Sequence, residues 1–272
     1  MTVTVSTRRA PEPSELVDWL RQVRLHKGVA EARHALMALH RRHPDDPALT
    51  ELMHWHDERW WQPVRFGVVS LARRTPEAFE FVWSLVLDTA FSSTLMTLPE
   101  SVTPKDLLEE LSADEHTLIP ERNAIQWLIH VRNRPIGLIM LTHLNFQHRI
   151  ADLRLGAVAG HGHALAIVDA CCAALLVAFN CLGLNKVQAR IESDNPVAIK
   201  LAERAGFVPE AVMRQDLWNE ARQRYEDVVQ LSMTQDEFAR NRLFLRRARS
   251  ESDAWLHHRT EWPRDPLKRF RS

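Results

Sequence analysis

The stretch from Ile150 to Ile191 limits the folds open to this chain more than any other. Ile150 to Gly156 reads as a strand, and the seven residues VAGHGHA (158–164) follow it with two glycines and two histidines. A long apolar helix from Ala164 to Leu182 comes next, and Lys186 to Ile191 is a strand again. Strand, glycine-bearing loop, helix and strand in that order belong to a mixed α/β plan and not to a β-sandwich.

The flanks extend the plan in both directions. FGVVSLARR, from Phe66, reads as one strand after a change of pattern at Arg65. Thr75-Pro76 starts a helix through Thr89, and Thr103-Pro104 starts another through Leu111. Ile125–Val131 and Ile136–Leu144 are strands on either side of the turn Asn133-Arg134-Pro135. Downstream come a helix from Pro196 to Ala205 and strands near Phe207–Arg214 and Tyr225–Met233. Upstream, amphipathic helices are expected from Ser14 to Gly28, from Val29 to Arg42 and from Leu49 to Trp61. Within the second of these, Ala32, Leu36, Leu39 and the following Pro44 resemble one tetratricopeptide unit, a repeat that needs about three copies to bury a continuous core. The division is therefore a flexible leader (1–12), a helical segment (13–63), a main domain (64–238) and an arginine-rich tail (239–272).

Charge narrows the partners. Lys plus Arg and Asp plus Glu each number 35, so a formal net charge of zero makes no global case for nucleic acid or an anionic membrane. The apolar run Ala164–Ala178, interrupted by Asp169, falls short of the roughly 20 residues a bilayer span requires. Thr2–Arg9 lacks the apolar core of a secretory signal. The three cysteines, Cys171, Cys172 and Cys181, lie in one apolar stretch, as expected of reduced, buried thiols in a cytoplasmic protein.

For VAGHGHA three readings stand. It is a plain turn, or a metal site through His161 and His163, or a phosphate cradle in which small residues let an anion reach the unpaired amides of a helix N-terminus. No cysteine or carboxylate falls at a recognised zinc spacing near those histidines, nor near His54 and His56, so no metal is expected.

The run LGLNKVQARIESDNPVAIKLAERAGFVPEAVMRQDLWNEARQRYEDVVQLSM resembles the second half of a GNAT-superfamily N-acetyltransferase, in the branch of ribosomal-protein and amino-sugar acetyltransferases. The pieces that carry it are Leu182–Val187, Asn195-Pro196 with Ala198, Ile199 and Leu201, Ala205-Gly206-Phe207 with Glu210, and Arg214 with Tyr225–Val229. The resemblance implies a mostly antiparallel mixed sheet whose two central strands splay apart, flanked by helices and preceded here by the small helical segment. It further implies acetyl-CoA as co-substrate, its pyrophosphate on Val158, Gly160, His161, Gly162, His163 and Ala164, and its pantetheine between the two splayed strands. An amide near Leu155 or Gly156 would hold the thioester carbonyl, and Asn195 would reach the pantetheine.

Acetyl transfer to an amine needs a base and a positioned thioester but no covalent cysteine. Asp152 is the first candidate base, Glu192 the second, with Ser193 or Asn195 through water as proton route. His143, Asn145, Arg214 and Trp218 are candidate acceptor contacts. The sequence departs from the family pattern at Ala157, where Arg or Gln is usual, and at Ala202, where many members carry a tyrosine acid. The acceptor is a protein N-terminus, an amino sugar or another small amine, and the helical forepart could recruit a protein partner. A non-catalytic acyl-CoA-sensing module that keeps the fold is the other class these departures allow.

Overall fold

The computed structural model describes residues 13–88, 91, 102–122, 124–158, 164–219 and 222–241. The expectations for the leader, for Gly160 to His163 and for the tail beyond Asn241 lie outside those residues.

Three helices open the chain: α1 (Pro13–Lys27), α2 (Val29–Arg42) and α3 (Pro47–Trp55). Gly28, at φ 88°, breaks α1 from α2 in a conformation glycine adopts without a Cβ penalty. Asp46 caps α3 by accepting the Ala48 N–H at 2.8 Å, and Pro47 occupies the first turn. α3 stops at Trp55, short of the expected Trp61, because the chain turns there into a 3-10 segment, Glu58–Trp60, capped by Asp57. Leu16, Leu20, Ala32, Leu36, Leu49 and Leu52 form a small core of their own, while Trp55 and Trp60 join the main core.

Arg24 ties this unit to the rest. It is 1% exposed and donates to the His116 carbonyl (3.1 Å), to His56 Nε2 (2.9 Å) and to the Glu121 carboxylate. His56 donates from Nδ1 to the Leu52 carbonyl at 2.7 Å, which leaves Nε2 free to accept from the guanidinium only if the ring is neutral. Burial supplies that condition by pulling its pKa down to about 4.

The main domain is one eight-stranded sheet in the order β1-β2-β3-β4-β5-β6-β8-β7. The strands are β1 (Val64–Phe66), β2 (Val69–Arg73), β3 (Ile125–Val131), β4 (Arg134–Asn145), β5 (Ile150–Ala157), β6 (Lys186–Glu192), β7 (Val208–Asn219) and β8 (Arg224–Thr234). Every neighbouring pair is antiparallel except β5 and β6. FGVVSLARR is thus not one strand. Gly67 turns back at φ 53°, and Val68 N–H donates to Asp169 Oδ2 at 3.0 Å, so an apolar run splits into a hairpin pinned from the core.

Helices cover both faces. Between β2 and β3 lie α4 (Phe79–Leu87), α5 (Pro104–His116) and the short α6 (Ile119–Arg122). A capping box of Thr103 and Asp106 with Pro104 starts α5. Val82, Leu85, Leu107 and Leu111 of α4 and α5 pack on Leu128, Leu138 and Met140. Arg74, 1% exposed, leaves the end of β2 to pair with Glu110 (2.7 Å) and Asp114 of α5.

The opposite face receives α7 (Ala164–Leu176), which runs on into a π-helical turn, Val177–Cys181. Together they make an 18-residue helix, Ala164–Cys181, long and apolar enough by composition to cross a membrane. Two thirds of it (67%) is buried within the fold, as for a core helix. Burial pushes the thiol of Cys171 up to about 12 and that of Cys181 higher still. α8 (Pro196–Ala205) ends at Gly206, φ 99°, and α9 (Gln235–Arg240) closes the described chain with Phe238 against Phe179.

Candidate active site

The two central strands are joined at one end only. β5 and β6 pair in parallel at Ile150 with Lys186, Ala151 with Val187 and Asp152 with Gln188, and at no later register. Beyond that crotch, β5 stays with β4 through Gly137 opposite Ala157, and β6 stays with β8 through Glu192 opposite Val228. Leu153–Ala157 and Ala189–Glu192 are therefore the two arms of a V.

Which backbone groups face the gap follows from the ladder. Val158 N–H donates to the Ile136 carbonyl at 2.9 Å, which marks the adjacent register partners Ala157 and Gly137 as a non-hydrogen-bonded pair. With no register shift from Gly137 to Thr142, alternation turns the peptide groups of Leu153, Leu155 and Ala157 toward the gap. Those of Gly156 point at β4, so of the two expected thioester anchors it is Leu155 that lies on the open edge. Gly137 keeps the arms of this ladder close, since a Cβ there would lie 2.2 Å from the Gly156 carbonyl oxygen.

Asp152 sits at the crotch, with its side chain 19% exposed and Oδ2 at 3.0 Å from His143 Nδ1. The contact depends on a bulge in β4. His143 has φ 51°, and the β4–β5 register shifts between Thr142 and Asn145. Leu141 and Leu144, three residues apart, both enter the same core, which regular alternation forbids. The extra residue is His143, swung onto the face that carries Thr142 and Asp152.

Glu192 lies on that same face, four residues past the crotch and thus about 13 Å along the strand. Its carboxyl is raised, first by burial and next by the charge of Asp194, against the opposing Arg222. Arg222 pairs with Asp194 and with Glu226 (3.2 Å), and Arg224 holds Glu226 at 2.8 Å. This rim cluster escaped the sequence reading, although the alternating charges of RQRYED were its signal. Ser193 is exposed and fastened by its N–H to the Asp227 carbonyl at 2.9 Å.

The remaining candidates are scattered. Asn195 caps α8, its Oδ1 taking the Ala198 N–H at 3.1 Å, and Asn145 Oδ1 accepts the His148 N–H at 2.9 Å in the β4–β5 turn. Arg214 is exposed beside the β7 bulge at Gln215 (φ 53°), and Trp218 meets Tyr225 edge-on at 5.0 Å. Val158 follows the last residue of β5, and Ala164 is the first residue of α7. Among the described residues no three His, Cys, Asp or Glu side chains gather as metal ligands.

The sheet is splayed between its parallel central strands, and α7 begins at Ala164, shortly after β5 ends at Ala157. A family model for an acetyltransferase (GNAT) domain matches residues 87–208. Among curated proteins, a spermidine N(1)-acetyltransferase of Vibrio cholerae serotype O1 is 29% identical over 106 residues, which cover 38% of this chain and 58% of that relative, less than two thirds of its length. Among solved structures, spermidine N-acetyltransferase from Vibrio cholerae in complex with CoA and spermine aligns with a TM-score of 0.54 at 23% identity, over 63% of this chain and 98% of that one. A dodecameric form of the same enzyme aligns at 0.53 and 23%, over 64% and 98%.

Proposed function

We propose that this protein transfers the acetyl group of acetyl-CoA to a primary amine. The observation that carries the reading is the V between β5 and β6, with the β5 edge open at Leu155 and Ala157. A pantetheine arm laid in the gap completes the missing ladder, and the Leu155 N–H is the donor for the thioester oxygen as negative charge develops on it. The loop from Gly160 to Ala164 takes the pyrophosphate, helped by the N-terminus of α7. Asn195 keeps an amide donor for the pantetheine after its oxygen has capped α8.

The acceptor enters on the face that bears Asp152 and Glu192. One amine cannot touch both, given about 13 Å of strand between their registers, so the paired Asp152 and His143 at the crotch mark the proton-accepting end and Glu192 the outer rim. A small amine is the acceptor we favour, because the relatives named above are polyamine acetyltransferases. A protein N-terminus, presented with the help of α1–α3, is the alternative acceptor.

Melting with and without acetyl-CoA tests the donor. At about 100 times its dissociation constant a ligand specific for the folded state adds about 2.7 kcal/mol, an upward shift of several degrees. A panel of spermidine, spermine, an amino sugar and short peptides, read by thiol release, then tests the acceptor. No shift in a cooperatively melting protein free of bound CoA would refute the donor assignment.

A further inference from the structure

We propose that the proton acceptor of this site is His143, with Asp152 as the residue that positions it. The inference rests on the acetyl-transfer reading and moves the base, which the sequence suggests is Asp152, to His143, which the sequence suggests is an acceptor contact.

Three observations lead there. The carboxylate is the more enclosed partner, 19% exposed against 70% for the imidazole, so the ring stands between Asp152 and an incoming amine. The contact runs from His143 Nδ1 to Asp152 Oδ2 at 3.0 Å, so a neutral ring held by the carboxylate carries its proton on Nδ1 and turns a bare Nε2 outward. The backbone bears a cost to achieve this. His143 occupies left-handed space at φ 51° inside a strand, where regular alternation would have turned it into the core beside Leu141. The same bulge returns Leu144 to the core face beside Leu141. It also places an imidazole over the last paired register of β5 and β6, where the V begins.

The step balances without further reagents. The ammonium form of the acceptor gives one proton to His143 Nε2, and the imidazolium that results is held by Asp152. The freed lone pair attacks the thioester carbon, the C–N bond forms, and the second proton of the amine leaves with the sulfur as the C–S bond breaks. The products are the amide, CoA thiol and one proton, which His143 releases to solvent.

The experiment uses the full chain, acetyl-CoA, and the amine found in the screen above. His143→Ala is expected to lower kcat about 100-fold or more, to leave the KM for acetyl-CoA unchanged, and to regain part of its rate when imidazole is added. Asp152→Asn is expected to lower kcat by a smaller factor that imidazole does not restore. Nitrogen NMR supplies a readout independent of turnover: the His143 signals, identified by their loss in His143→Ala, should show the proton on Nδ1 in the parent and on Nε2 in Asp152→Asn. Full activity of His143→Ala beside an inactive Asp152→Asn would make Asp152 the base and overturn the proposal. So would an Nε2-protonated His143 in the parent. A parent that fails to bind acetyl-CoA refutes the proposed function itself, whereas retained binding with an indifferent His143→Ala removes only the histidine.

Discussion

His54 and His56, two residues apart at the C-terminal end of α3, are both held neutral by burial. His54 lies edge-on to Trp55 (4.9 Å) and Trp60 (5.0 Å), and burial brings its pKa down to about 3. His56 must stay neutral to accept from Arg24, and burial brings it to about 4 from its ordinary 6.5. The sign follows from proton counting: above 6.5 neither state is charged, while below it the unfolded chain binds protons that the folded chain refuses. Stability is therefore full above 6.5 and falls as the pH drops toward 4, by about 1.4 kcal/mol per unit for each histidine. A series of denaturant melts between pH 7.5 and 5 should show this decline, and His56→Asn should flatten it. The sequence shows neither role, since MHWHDERWW reads as well for a surface helix flanked by tryptophans. The His143 bulge was equally hidden, because no glycine marks its left-handed turn.

Elements announce themselves where a boundary residue is chemically obliged. α8 was legible to the residue, since Asn195-Pro196 can start a helix and Gly206 can leave one. β3 was legible for its bounded apolar run. The hairpin of β1 and β2 was not, because its one signal, Gly67, sits inside a run that reads as a single strand. The splay between β5 and β6 has no periodic signature at all. Both strands look complete, and only the family likeness pointed to their parting. Asn195 carries a prediction at this scale. Asn195→Ala removes the α8 cap and should cost about 1 kcal/mol, whereas Asn195→Asp keeps an acceptor and should recover it. If the amide also touches the pantetheine, the KM for acetyl-CoA rises in both variants, which steady-state kinetics would show.

Across the whole molecule, a buried guanidinium holds the helical forepart to the sheet domain. Glu121, Arg24's partner, also accepts the Leu118 N–H at 2.9 Å, so the link ends on the segment that leads into β3. Arg24→Ala leaves that carboxylate enclosed without its cation and should cost about 3–5 kcal/mol. Hydrogen exchange should show α1–α3 opening first, with the acetyl-CoA melting shift retained. The other long-range tie, from Asp169 to Val68, works in the opposite sense. Val68 is a surface residue, 46% exposed, yet its amide is clasped by a carboxylate that is itself 0% exposed on the helix leading from the loop. A turn at the far margin of the sheet is thus a dial whose spindle runs through the core, and any tilt of that helix as its N-terminal end meets an anion would register there, on the outside of the molecule.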